Sequence, residues 1–139
     1  MDYTECHTFA ESLVERAKNT MKADGHLIPI LFAIDQAGHM KTVQLKGGPN
    51  VEIADLARAA VKEEHAYAAV VANEATFAEL YKGEVQREYT FDAIAIACVH
   101  PDGHAVWITQ YAKERGIMFG KTMLLEGEAF SGPITEIVK

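Results

Sequence analysis

The chain has 139 residues, a net charge of −7, 49% hydrophobic residues and 24% charged residues. That length suits one domain of about 100–200 residues, large enough to bury a core without a disulfide or a structural metal. The acidic charge argues against nucleic acid and anionic membrane surfaces as partners, because phosphate recognition needs a basic patch.

No apolar run approaches the roughly 18 residues of a membrane span. The opening MDYTECHTFAESL has neither the basic nor the apolar region of a signal peptide. A cytoplasmic protein is expected. The two cysteines, Cys6 and Cys98, are too few for a disulfide framework and read as free, buried thiols.

The first expected element is a helix over 3–23. Asp2 and Glu5 have the spacing of a capping box, and Cys6, Phe9, Ala10, Leu13, Ala17 and Met21 form one apolar stripe. Asp24-Gly25 ends it. Strands follow over 26–34, with Pro29 marking an edge or a bulge, and over 39–46. A second helix is expected over 51–64, capped by Asn50, with Ile53, Leu56, Ala57, Ala60 and Val61 buried. A short strand over 66–72 comes next. Thr76 and Glu79 have the capping-box spacing for a short helix over 76–81, stopped at Gly83. Strands over 87–99, 104–112 and 117–125 complete the main pattern, and an edge strand is expected over 134–138.

Short turns join most neighbours, so the sheet should be mostly antiparallel. The expected fold is a single α+β domain over 1–139, in the order α-β-β-α-β-β-β-β. About six strands form one sheet, and the two main helices pack on one of its faces. Alanines at 93, 95 and 97 should let another backbone element approach that strand closely.

The glycine-ended turns Gln36-Ala37-Gly38 and Pro101-Asp102-Gly103 carry the candidate chemistry. A type I turn closed by a left-handed glycine would set the flanking residues opposite each other. His100 would then face His104 with Cβ atoms about 5 Å apart, and Asp35 would face His39. An Asp–His pair polarises an imidazole, and two adjacent imidazoles suit a divalent metal. Asp35, His39, His100 and His104 are therefore the candidate ligand-binding residues. His100 and His104 are the candidate metal ligands, and no other cofactor is implied. Whether the two turns share one end of the sheet depends on strand order.

Other patterns are weaker. Gly116 to Thr122 resembles a phosphate loop but has the wrong spacing and continues as a strand. Cys98 lies two residues from His100 on one strand face, yet its apolar run suits an inert thiol. Glu63, Glu64 and His65 point apart at a helix end. Trp107, Thr109 and Tyr111 share a strand face opposite Val106 and Ile108. If the helices cover the side of Ile94, Ile96 and Ile108, this aromatic face is the expected interface for homo-oligomerisation.

The expected function is a binding or interaction domain that self-associates and takes a protein or a small molecule. The alternative is a metal-dependent hydrolase built on the turn histidines. No recognised catalytic motif decides between them.

Overall fold

The computed structural model describes residues 1–47, 51–81, 84–127 and 132–138. Helix α1 spans Tyr3–Asp24. Its start is the expected capping box: the Asp2 carboxylate accepts from the Glu5 N–H at 2.8 Å, and the Asp2 N–H donates to the Glu5 carboxylate at 3.3 Å. Gly25 closes the helix at φ 79°, a left-handed conformation that costs glycine little. Helix α2 spans Ile53–Glu63; the cap expected from Asn50 lies outside the described residues, as does the stop expected at Gly83.

Six strands form one sheet: β1 (Ile30–Ile34), β2 (Met40–Gln44), β3 (Ala68–Tyr81), β4 (Glu84–His100), β5 (Gly103–Lys113) and β6 (Ile117–Glu126). Their spatial order is β2-β1-β3-β4-β5-β6, and every pairing is antiparallel. The α+β class and the single antiparallel sheet agree with the sequence pattern.

The helices are shared between the two faces instead of lying together on one. The stripe Cys6, Ala10, Leu13, Val14, Ala17 and Met21 of α1 packs on Ile34, Val70, Ile94, Ile96, Cys98 and Trp107. Ala57, Ala60 and Val61 of α2 pack on the opposite face, against Leu31, Ala33, Val71 and Val99. The physical reason lies in the central strands. Val70 and Val71, or Ile96 and Ala97, point to opposite sides and are all nearly inaccessible. A strand apolar on both sides needs a cover on each.

Register corrects a second expectation. Ile96 pairs with Trp107 and Ile94 with Thr109, so these isoleucines share the aromatic face and not that of Ile108. The alanine face of β4 does admit a close neighbour. The C-terminal segment forms a 3₁₀ helix, Pro133–Glu136, where an edge strand was expected. Pro133 starts it, and Ile137 docks into the cluster of Ala93, Ala97 and Val99.

The short helix expected over 76–81 is instead the outer part of β3. Thr76 donates to the Asp92 carboxylate across the strands at 2.9 Å rather than capping a helix. Phe77 stacks on Phe91 with ring centres 5.6 Å apart. A cross-strand aromatic pair of this kind overrides a local capping pattern. Among the described residues, β1 pairs with β3 only as far as Ala72, and β5 pairs with β4 only from Asp92. The outer β3–β4 hairpin thus runs past its neighbours.

Leu13 lies in the α1–sheet contact and Asp2 only caps the helix, so the two should differ in weight. Leu13→Ala should cost about 2–5 kcal/mol in urea unfolding, and Asp2→Ala about 1 kcal/mol. Equal, small losses would mean that α1 is not docked.

Candidate functional site

Strand β1 is antiparallel to β3, and β3 to β4, so β1 and β4 run the same way. Ile34 and His100 end them on the same edge, where Ile34 pairs with Ala68 and Val99 with Ala69. Both candidate turns therefore sit on one rim, joined there by the N-terminus and by Tyr67.

Asp35 and His39 come together as the turn chemistry requires. The Asp35 N–H donates to the His39 carbonyl at 3.0 Å. The His39 N–H donates to Asp35 Oδ1 at 2.9 Å, and His39 Nδ1 lies 3.3 Å from Asp35 Oδ2. Gly38, at φ 86°, supplies the left-handed residue. The His39 backbone N–H, and then the imidazole charge, hold the Asp35 carboxyl below its usual range. His39 is 84% exposed at its side chain, so this imidazole faces solvent.

His100 and His104 do not form a pair. Gly103 is not left-handed but is already in the sheet, opposite His100. The turn is thus Pro101-Asp102 alone, and His104 pairs with Val99. A one-residue change of register turns a side chain to the other face. His100 therefore lies on the α1 side and His104 on the α2 side, which corrects the expected two-histidine metal site. Gly103 is small for another reason: a Cβ there would meet the Tyr3 ring at 3.4 Å.

His100 is 4% exposed. Its Nδ1 accepts from the Asp102 N–H at 3.1 Å, and its Nε2 lies 3.2 Å from the Met1 carbonyl. That pattern puts the ring proton on Nε2. The rings of Tyr3 and Tyr67 stand edge-on to the imidazole at 6.1 and 5.3 Å. This is a satisfied, packed histidine that fastens the N-terminus to the rim. His104 Nε2 lies 2.7 Å from the Gly127 carbonyl. Among the described residues, no three His, Cys, Asp or Glu side chains gather as a metal site.

Trp107, Thr109 and Tyr111, the expected interface, lie under α1. Trp107 is 4% exposed, with the His7 ring edge-on at 4.6 Å. Thr109 Oγ1 lies 2.6 Å from Thr122 Oγ1. The Tyr111 hydroxyl donates to Glu74 Oε1 at 3.2 Å. Burial, and then the Glu74 charge, push this phenol up to about 12. The missed signal was the length of the N-terminal apolar stripe, which is enough to cover this face.

Cys98 shares the α1 face of β4 with His100, but its thiol is engaged by Cys6 and not by the imidazole. Its Sγ–H donates to Cys6 Sγ at 3.0 Å, and that bond, with burial, pushes its thiol up. Glu64 of the helix-end trio is held by Lys41 at 3.0 Å.

Two clefts remain. One, of about 430 Å³, opens on the rim between Asp35, Gln36, Ala37, His65, Ala66 and Tyr67. The other, of about 360 Å³, lies on the α2 face, floored by Ala95 and Ala97 and walled by Ile53, Asn73, Phe77 and Ile134. Small side chains in mid-strand leave that space. The sheet also ends in an unusual edge: β6 leaves Met118, Met123 and Leu124 69%, 51% and 41% exposed.

Comparison with protein-family models, curated proteins and solved structures finds no match. No described helix is long and apolar enough to cross a membrane.

The Asp35 geometry has a pH consequence. A carboxyl whose folded value is lowered adds stability above the ordinary Asp range, and that stability is lost as pH falls through the lowered value. Carbon-13 titration should place Asp35 below the ordinary range of an aspartate side chain. The backbone N–H is the first cause, so His39→Ala should keep most of the displacement. A return to the ordinary range in that variant would make the imidazole the dominant partner.

Proposed function

We propose that the chain is a non-catalytic binding domain that pairs with a second copy of itself along the outer edge of β6. The observation that carries this reading is the edge strand itself. It is ten residues long, its outward N–H and C=O groups have no strand beyond them among the described residues, and it exposes Met118, Met123 and Leu124. Long apolar edges usually pair with another strand, because free backbone groups and apolar side chains are both satisfied that way. The edge replaces the aromatic face as the self-association surface, since α1 already covers Trp107, Thr109 and Tyr111.

The alanine-floored cleft on the α2 face supports a small apolar ligand as a further occupant. Pockets of about 300–1,000 Å³ with apolar walls and a few polar groups are the usual form of such sites. Its polar groups would be Asn73 and Glu52. The net charge of −7 favours neither nucleic acid nor an anionic membrane as partner, and two thiols without a disulfide suit a cytoplasmic setting.

A hydrolytic reading draws support only from the exposed Asp35–His39 pair beside the rim cleft. His100 and His104, which would have held the metal, point to opposite faces and are engaged by main-chain groups.

Sedimentation velocity across a wide concentration range tests the edge. Wild type should shift from monomer to dimer, and Met123→Lys or Leu124→Lys should weaken that association about tenfold or more, roughly 1.4 kcal/mol. A monomer at every concentration, or variants that dimerise as well as wild type, would rule out pairing at β6.

A further inference from the structure

We propose that Cys6 and Cys98 form a redox pair, which a small disulfide oxidant closes into an intramolecular disulfide bolting the start of α1 to the inner strand β4.

The two thiols are 92 residues apart in the chain, yet their sulfur atoms are 3.0 Å from each other. Both residues are fully buried. The placement is built from both sides. The Asp2–Glu5 capping box fixes the first turn of α1, so that Cys6 falls on the stripe facing the sheet. Cys98 sits on the central strand β4, two residues from its end at the rim, with Val70 opposite on β3 and Ala105 opposite on β5. Those small neighbours leave the space above Cys98 to the Cys6 side chain. Ordinary core packing would be served as well by alanine or valine in either place. Two sulfurs in contact across a helix–sheet boundary are what a dithiol requires.

The hydrogen bond also distinguishes the roles. Cys98 donates and Cys6 accepts, so the proton is held on Cys98 and negative charge is favoured on Cys6. The Cys6 thiol is accordingly lowered and that of Cys98 raised. Cys6 is the attacking sulfur. As a thiolate it attacks one sulfur of the oxidant, forms a mixed disulfide and expels one thiolate, which takes up the proton that Cys6 lost. Cys98 then gives up its proton and attacks Cys6 Sγ, displacing the second thiol. Two protein thiols lose two electrons and two protons, and one small disulfide becomes two small thiols.

Access requires the first turn of α1 to lift. What holds it there is the Met1 carbonyl at His100 Nε2, 3.2 Å away, and the Tyr3 ring over Gly103 and His100. Once formed, the crosslink closes a loop of about 90 residues and removes much of the freedom of the unfolded chain. Oxidation should therefore stabilise the fold rather than disturb it.

The test uses the full chain, reduced and then incubated with glutathione disulfide. Samples are denatured, alkylated and weighed by intact mass spectrometry. The expected product is a monomer lighter by two hydrogens, carrying no alkyl group, reversed by dithiothreitol and melting several degrees above the reduced form. Cys6→Ser and Cys98→Ser should each lose this product. The wild-type mass remains decisive if either variant fails to fold. Two alkylatable thiols after prolonged oxidation, a glutathione adduct that never resolves, or a disulfide between two chains would overturn the proposal. A reduced, denatured sample that reacts fully shows that the reagent is competent.

Discussion

Helix α1 lies along Ile94, Ile96, Cys98 and Trp107, and the remaining features of the rim follow from that contact. Its first turn brings Met1 to His100, Tyr3 to Gly103 and Cys6 to Cys98. It covers the aromatic face of β5, and it leaves α2 and the C-terminal 3₁₀ helix to cover the other face. Were α1 to dock elsewhere, Trp107, Thr109 and Tyr111 would be a large apolar surface open to water. With it in place both faces of the sheet are covered, and among the described residues the open edges are β2, five residues long, and β6, ten residues long.

Much of this order was legible in the residues. The helix start at Asp2-Glu5, its end at Gly25 and the α-β-β-α-β-β-β-β sequence all follow from capping and periodicity. So does the Asp35–His39 contact, because that turn has a true left-handed glycine at 38. The failures share one cause. The sequence makes His100 and His104 partners only if Gly103 belongs to the turn, whereas it pairs in the strand opposite His100. Alternation alone likewise does not show that Ile94 and Ile96 lie with Thr109 and Trp107 and not with Ile108. Alternation tells which residues share a face of one strand but not which faces of two strands coincide; that depends on register, and register depends on how the turn closes. The outer hairpin failed differently, since the Phe77–Phe91 stack is a long-range contact invisible to a local capping rule.

The functional reading rests on what the fold leaves unfinished rather than on a catalytic constellation. Buried histidine and tyrosine groups here are already satisfied: His100 by two main-chain partners, Tyr111 by Glu74. Such groups stabilise architecture and have little capacity left for substrate. The unfinished elements are an apolar strand edge and a cleft floored by alanine, which are features of association. The thiol pair adds a chemical feature to the helix that organises the rim.

The docking of α1 over the aromatic face can be read from one fluorophore, because Trp107 is the only tryptophan in the chain. Its emission, with acrylamide as quencher, should be blue-shifted and poorly quenched in the folded protein, and should become red-shifted and freely quenched in urea. A folded protein whose tryptophan is already red-shifted and freely quenched would place α1 away from the sheet and contradict the arrangement described.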